Sequence, residues 1–132
     1  MVELAWRGSF LSPEVSALHA EGFGGNDSQR DWRATVERHS VGWVTARHHD
    51  ERLIGFVNVA WDGAEHAFLL DTLVAVEFRR GGIGASLVGQ AVKGALDTGG
   101  RWVHVDFEDH LTAFYLDTCG FTSTAAGVVR LR

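Results

Sequence analysis

Apolar positions follow two different periods along the chain. From Val41 to Val76 they are strand-like. Val41-Gly42-Trp43-Val44-Thr45-Ala46 and Leu53-Ile54-Gly55-Phe56-Val57-Asn58-Val59-Ala60-Trp61 are rich in β-branched and aromatic residues, and Ala67 to about Val76 forms a third, longer run. Polar His48-His49-Asp50-Glu51 separates the first two runs. Asp62-Gly63, a strong hairpin-turn dipeptide, separates the second and third. Residues 41–76 therefore read as an antiparallel meander. Beyond Gly82 the period changes: Ile83, Leu87, Val88, Ala91, Val92, Ala95 and Leu96 recur at helical spacing, with Ser86, Gln90, Lys93 and Asp97 opposite, until Gly99-Gly100 closes the helix.

The flanks complete the pattern. Residues 1–8 read as a first strand. Ser12-Pro13-Glu14 is a helix start, with Ser12 as N-cap, and that helix runs to about Gly22. A second helix begins near Ser28 and covers Asp31 to Arg38. Trp102 to Phe107 reads as a strand, Leu111 to about Thr118 as a short helix, and Gly127 to Leu131 as a last strand. The order is β-α-α-β-β-β-α-β-α-β. The strand–helix–strand unit at 67–107 requires a parallel crossover, which is right-handed in nearly all proteins. The expected fold is one α/β (α+β) domain over residues 1–132, a mixed, mostly antiparallel central sheet with helices on both faces.

Composition narrows the function classes. The chain has 132 residues, 45% hydrophobic and 22% charged, enough for one domain with a packed core. A net charge of −5 argues against a nucleic-acid partner. With no run of 18 apolar residues, and no basic and apolar leader in Met1 to Arg7, neither a membrane span nor a signal peptide is expected. Cys119 is the single cysteine, so no internal disulfide forms and a reducing, cytoplasmic setting is the expectation. The tryptophans suit core, pocket wall or subunit interface, which leaves a homodimer open.

Arg79-Arg80-Gly81-Gly82-Ile83-Gly84 lies where a strand gives way to a helix. Glycines let a ligand approach the backbone, and the free N–H groups of a helix start attract phosphate oxygens. The Walker A pattern fails because Ala85 and Ser86 follow Gly84. The dinucleotide pattern fails because Leu87 stands where a third glycine is needed. A phosphate-binding turn and a turn without a ligand both fit these residues. Asp71 interrupts the apolar run Ala67 to Val74, so it is expected to be desolvated with a raised pKa, as a general base or as a structural acid paired with an arginine or a backbone donor. His104, Asp106, Glu108 and His110 alternate. They could share one strand face as metal ligands or stand as strand-end charges, and no metal is expected because ligand type alone is not geometry. His48 and His49 are expected in an exposed turn, and His66, which opens the central strand, is expected on the surface or reaching the cleft.

Val74-x-x-x-x-Arg79-x-x-Gly82-x-Gly84-x-x-Leu87 resembles the acyl-CoA signature of the GNAT acetyltransferase superfamily. Leu111-Thr112-Ala113-Phe114-Tyr115, followed by Cys119-Gly120-Phe121, resembles that family's Phe-Tyr…Gly-Phe element, and the order of elements is similar. The resemblance implies that acetyl-CoA lies in a gap between strands 67–76 and 102–107. Backbone groups of Leu73, Val74 and Val76 would meet the pantetheine arm, and the amides of Arg79, Arg80, Gly81, Gly82, Ile83, Gly84 and Ala85 the pyrophosphate. It implies an N-acetyltransferase in which the amine attacks the thioester directly, with Asp71 as base and Tyr115 as acid. The acidic residues near the cleft favour a small cationic primary amine. Peptide or protein N-acetylation, or a non-catalytic acyl-CoA-binding regulatory module, are the alternatives. Two positions depart from the family pattern. Val76 stands where proline is common, and Tyr115 precedes Gly120 by five residues rather than four. On an α-helix that extra residue turns the side chain by about 100°.

Overall fold

A computed structural model describes residues 1–25 and 30–132. Five strands form a single sheet in chain order, β1 (Val2–Trp6), β2 (Ser40–His48), β3 (Leu53–Trp61), β4 (His66–Val74) and β5 (Trp102–His104). Pairing is antiparallel from β1 to β4 and parallel between β4 and β5. The helices are α1 (Ser12–Phe23), α2 (Trp32–His39) and α3 (Ile83–Asp97). This is the mixed, mostly antiparallel sheet that the sequence predicts.

The sheet is covered on both faces, which is why β2 and β3 are buried along most of their length rather than on alternate residues. On one face Phe56 meets Phe10 and the fully buried Trp32, with ring centroids 5.3 and 6.4 Å apart. On the other, Gly55 lies under Ile83 and Leu87 of α3. The apolar stripe of α3 buries Leu87, Val88, Ala91 and Ala95, each contributing roughly 1–3 kcal/mol in proportion to its size. Trp6 passes between Gly42 of β2 and Gly94 of α3, close to both backbones.

Several boundaries differ from expectation. Ser12 is the first residue of α1 rather than its cap: Glu14 accepts the Leu11 N–H at 2.8 Å, while the Ser12 hydroxyl accepts the Arg33 N–H at 3.2 Å and so ties α1 to the start of α2. Asp31 caps α2 by accepting the Ala34 N–H at 3.0 Å. The predicted start near Ser28 lies outside the described residues. β5 ends at His104 instead of Phe107. The short helix after it divides into a 3₁₀ turn, Asp109–Leu111, and a π turn, Ala113–Thr118. The predicted last strand, 127–131, is not formed. Val128, Val129 and Leu131 are more than four-fifths exposed, and β-branched residues without a ladder partner do not make a strand.

Candidate functional site

The sheet opens between β4 and β5. Their ladder runs only from His66 opposite Trp102 to Phe68 opposite His104, whereas β4 continues to Val74. The cause lies on the other side of β4. Phe56 pairs with Leu73 and Asn58 with Leu70, so Asp71 and Thr72 together stand opposite Val57. This is a β-bulge, and Asp71 takes a left-handed backbone with φ of 56°. A bulge bends its strand and sharpens the local twist, which carries β4 away from the segment after His104. Asp71 is half-buried rather than buried, which corrects the sequence expectation. The run around it is not enclosed: beyond Phe68 the outer edge of β4 has no strand partner, and Leu70 is 42% exposed.

Tyr115 bridges the gap. Its ring stacks on Phe107, with centroids 4.9 Å apart, and its hydroxyl donates to Thr72 Oγ1 at 3.3 Å. Burial pushes the phenol above its ordinary pKa, with the Thr72 contact opposing the rise, so the group is a proton donor at neutral pH. The π turn explains how Tyr115 reaches this place. Cys119 N–H donates to Phe114 C=O at 2.9 Å, an i→i+5 bond that encloses one residue more than an α turn. This turn spends one residue more between Phe114 and Cys119 than an α turn does, so the rotation expected on an α-helix does not apply to it.

The glycine loop joins the gap at its other end. Gly82, with φ of 84°, leads into α3, whose first helical bond runs from Ser86 N–H to Gly82 C=O at 3.1 Å. The N–H groups of Gly82, Ile83, Gly84 and Ala85 therefore precede any intrahelical acceptor, and among the described residues no side-chain cap is formed there. A Cβ on Gly84 would lie 3.3 Å from the Phe114 ring and 3.9 Å from Val74 Cγ2, so a glycine here brings helix start, β4 and π turn together. Arg79 and Arg80 are exposed beside these amides, and Arg79 Nε donates to Val74 C=O at 3.1 Å. Leu73 is buried opposite Phe56. The valine at position 76 keeps an N–H that a proline would lack, and Glu21 Oε1 accepts it at 3.0 Å. The helix start and its two arginines supply N–H donors and positive charge suited to a diphosphate.

The match to the acetyltransferase (GNAT) family model covers residues 6–121. The chain belongs to the GNAT acetyltransferase family. No curated protein sequence matches it. Among solved structures, a Trypanosoma brucei acetyltransferase superposes with TM-score 0.81 at 18% identity, covering 100% of this chain and 99% of the other. Glucosamine-6-phosphate N-acetyltransferase from Arabidopsis thaliana gives TM-score 0.73 at 13% identity, covering 97% of each chain. AAC(6')-Iy, in complex with a bisubstrate analogue, CoA-S-monomethyl-acetylneamine, gives 0.75 at 15%, covering 100% of this chain and 98% of the other. At these identities the likeness is one of fold. The GNAT family transfers acetyl groups from acetyl-CoA, and this chain is an acetyltransferase.

The GNAT frame leaves other predicted residues apart. The alternating row of His104, Asp106, Glu108 and His110 does not continue on one strand, because β5 stops at His104 and His110 lies in the 3₁₀ turn, 3.6 Å from Glu108. No three histidine, cysteine or acidic side chains gather as a metal site among the described residues. Nor is any described helix long and apolar enough to cross a membrane. The sequence reading missed Thr72, Phe107 and Glu21. Only the signature's Val76, in a proline position, signalled a spare N–H. His66 and His104, read singly as surface or row residues, come together: His66 Nδ1 lies 2.8 Å from His104 Nε2.

Proposed function

We propose that this GNAT protein is an acetyl-CoA-dependent N-acetyltransferase that acts on a small cationic primary amine by direct attack in a ternary complex. The observation that carries the reading is the gap between β4 and β5, bridged by Tyr115 and leading to the uncapped start of α3. Acetyl-CoA would lie along β4 at Leu73 and Val74, with its pyrophosphate on the amides from Arg79 to Ala85. Val74 C=O and Val76 N–H already hold protein partners, so the pantetheine contacts there need Arg79 and Glu21 to yield or to remain as a second layer. Asp71, half-exposed at the bulge, supplies negative charge for the acceptor's ammonium. The deprotonated amine attacks the thioester carbonyl, the C–N bond forms and the C–S bond breaks. Tyr115 delivers a proton to the departing thiolate. Two neighbours of the same fold are named with small amine substrates or their analogues, which supports a small acceptor here. A reducing cytoplasm suits the free, half-buried thiol of Cys119.

The test is a CoA-release assay with acetyl-CoA and butylamine, 2-phenylethylamine, putrescine, lysine and a peptide with a free N-terminus, together with calorimetric titration of acetyl-CoA. Turnover of a small amine is expected. Faster turnover of the peptide would transfer the reading to peptide N-acetylation. Acetyl-CoA binding without turnover of any amine would make the chain a binding module.

A further inference from the structure

We infer that His66 and His104 act as one proton acceptor for the incoming ammonium. The inference rests on the acetyl-transfer reading above. Phe68 and His104 are the last paired residues before β4 and β5 part, so His104 stands at the fork of the gap. Its ring stacks on Phe68, with centroids 4.8 Å apart and 20° between planes, and that contact fixes its orientation. The residues alternate along each strand, so His66, Phe68, Trp102 and His104 share one face of the sheet, and Val103 turns into the core on the other. Tyr115, stacked on Phe107, belongs to the core against which Val103 also packs. Proton acceptor and proton donor thus come to the gap from different sides, the histidines from the exposed face of β4 and β5 and Tyr115 from the core.

The 2.8 Å contact between His66 Nδ1 and His104 Nε2 has a defined proton inventory. Each neutral imidazole carries one N–H and one lone pair. When His66 donates, its own Nε2 is the open lone pair; when His104 donates, its Nδ1 is. In either arrangement one outer nitrogen accepts a proton. The resulting imidazolium then makes a charge-assisted bond to its neighbour, stronger than the neutral one. A second proton would break the N–H···N bond and place two cations side by side, so the pair takes up one proton rather than two. The charged groups around it are Asp62, which accepts the His66 backbone N–H at 3.1 Å, the Glu65–Arg101 ion pair at the strand starts, and Asp106, two residues beyond His104.

In the step itself the ammonium gives one proton to the open nitrogen and the free amine forms the C–N bond. The second nitrogen-bound proton leaves as the tetrahedral adduct collapses and restores the Tyr115 phenol, which has given its own proton to the thiolate. One proton ends on CoA thiol, the other passes from the pair to water, and no oxidant or reductant is involved.

The test compares wild type with His66→Gln and His104→Gln. Both side chains lie at the surface or half-buried, so the fold is retained, and glutamine keeps a hydrogen bond without accepting a proton. Histidine NMR titration of the free protein is expected to show that His104→Gln moves the midpoint of His66. Either substitution should lower kcat/KM on the amine turned over fastest by roughly 10²-fold, with loss of the wild-type acid limb and unchanged acetyl-CoA affinity. A His66 midpoint unmoved by His104→Gln, or a variant with full kcat/KM and the same pH profile, overturns the assignment. Failure of the wild type to bind acetyl-CoA overturns the acetyl-transfer reading first, and this role with it.

Discussion

Replacing Gly94 by alanine should destabilise the protein, although alanine is the better helix former. A Cβ at Gly94 would stand 2.3, 2.4 and 2.5 Å from three carbons of the Trp6 ring. Carbon atoms rest at about 3.5–4.0 Å, so the ring would have to retreat by roughly 1 Å. It has nowhere to go. On Gly42 of β2 a Cβ would already be 2.1 Å from the same ring, so the indole is held between two backbones. Overpacking of this kind costs about 1–3 kcal/mol, against which the gain in helix propensity returns up to about 1 kcal/mol. Gly89 provides the control on the same helix, since nothing lies within 4 Å of its Cβ position. Gly89→Ala should therefore stabilise by up to about 1 kcal/mol. The propensity gain is common to both variants, so their difference, about 1–3 kcal/mol, isolates the contact with Trp6. Urea denaturation measures it directly, and in a thermal scan the two midpoints should separate by roughly 3–12 °C. In a Trp6→Leu background the Gly94→Ala change should lose its penalty, a coupling that a double-mutant cycle reads. A Gly94→Ala protein as stable as Gly89→Ala, with unchanged urea dependence, would refute the reasoning.

Three further outcomes are expected. Arg47 makes a two-pronged ion pair with Glu14 at 2.8 and 2.9 Å, and its hydrogen bonds hold the carboxyl below its ordinary pKa. The stability from a lowered carboxyl pKa is fully present above the unfolded value and fades as pH falls through the folded one. Glu14→Gln should accordingly cost about 1–2 kcal/mol at neutral pH, and denaturation curves of the two proteins should converge on acidification through and below the usual glutamate range. Tyr115→Phe should lower kcat by about 10²-fold or more in the CoA-release assay while calorimetry finds acetyl-CoA affinity unchanged, because the stacked ring remains and only the proton is lost. Gly82→Ala forces a side chain onto a backbone with φ of 84°, at a cost of about 1–2 kcal/mol, and should weaken acetyl-CoA binding measured by calorimetry.

The meander, the α3 stripe and the glycine loop were legible because each depends on local spacing. The strand runs alternate with turn residues, and the period change at Gly82 coincides with the turn that starts α3. What escaped depends on partners distant in sequence. The bulge at Asp71 and Thr72 follows from their alignment with Val57, which no pattern within β4 encodes. That alignment also decides why β5 stops at His104 and why Asp71 is half-exposed. The pair formed by His66 and His104 spans a parallel crossover, so no local spacing shows that the two rings meet. The segment 127–131 has the composition of a strand, but composition supplies no partner.

The π turn from Ala113 to Thr118 has a consequence for how distances along this polypeptide are read. Tyr115 is anchored by Phe107 and Thr72, and Phe121 is anchored beneath it, its N–H donating to Tyr115 C=O at 3.0 Å. The two anchors are fixed in space, and the span between them holds one link to spare. An ordinary α turn closes its ring of hydrogen bonds with one residue fewer. The number of residues separating the phenol from the Gly-Phe corner is therefore no ruler for the reaction centre.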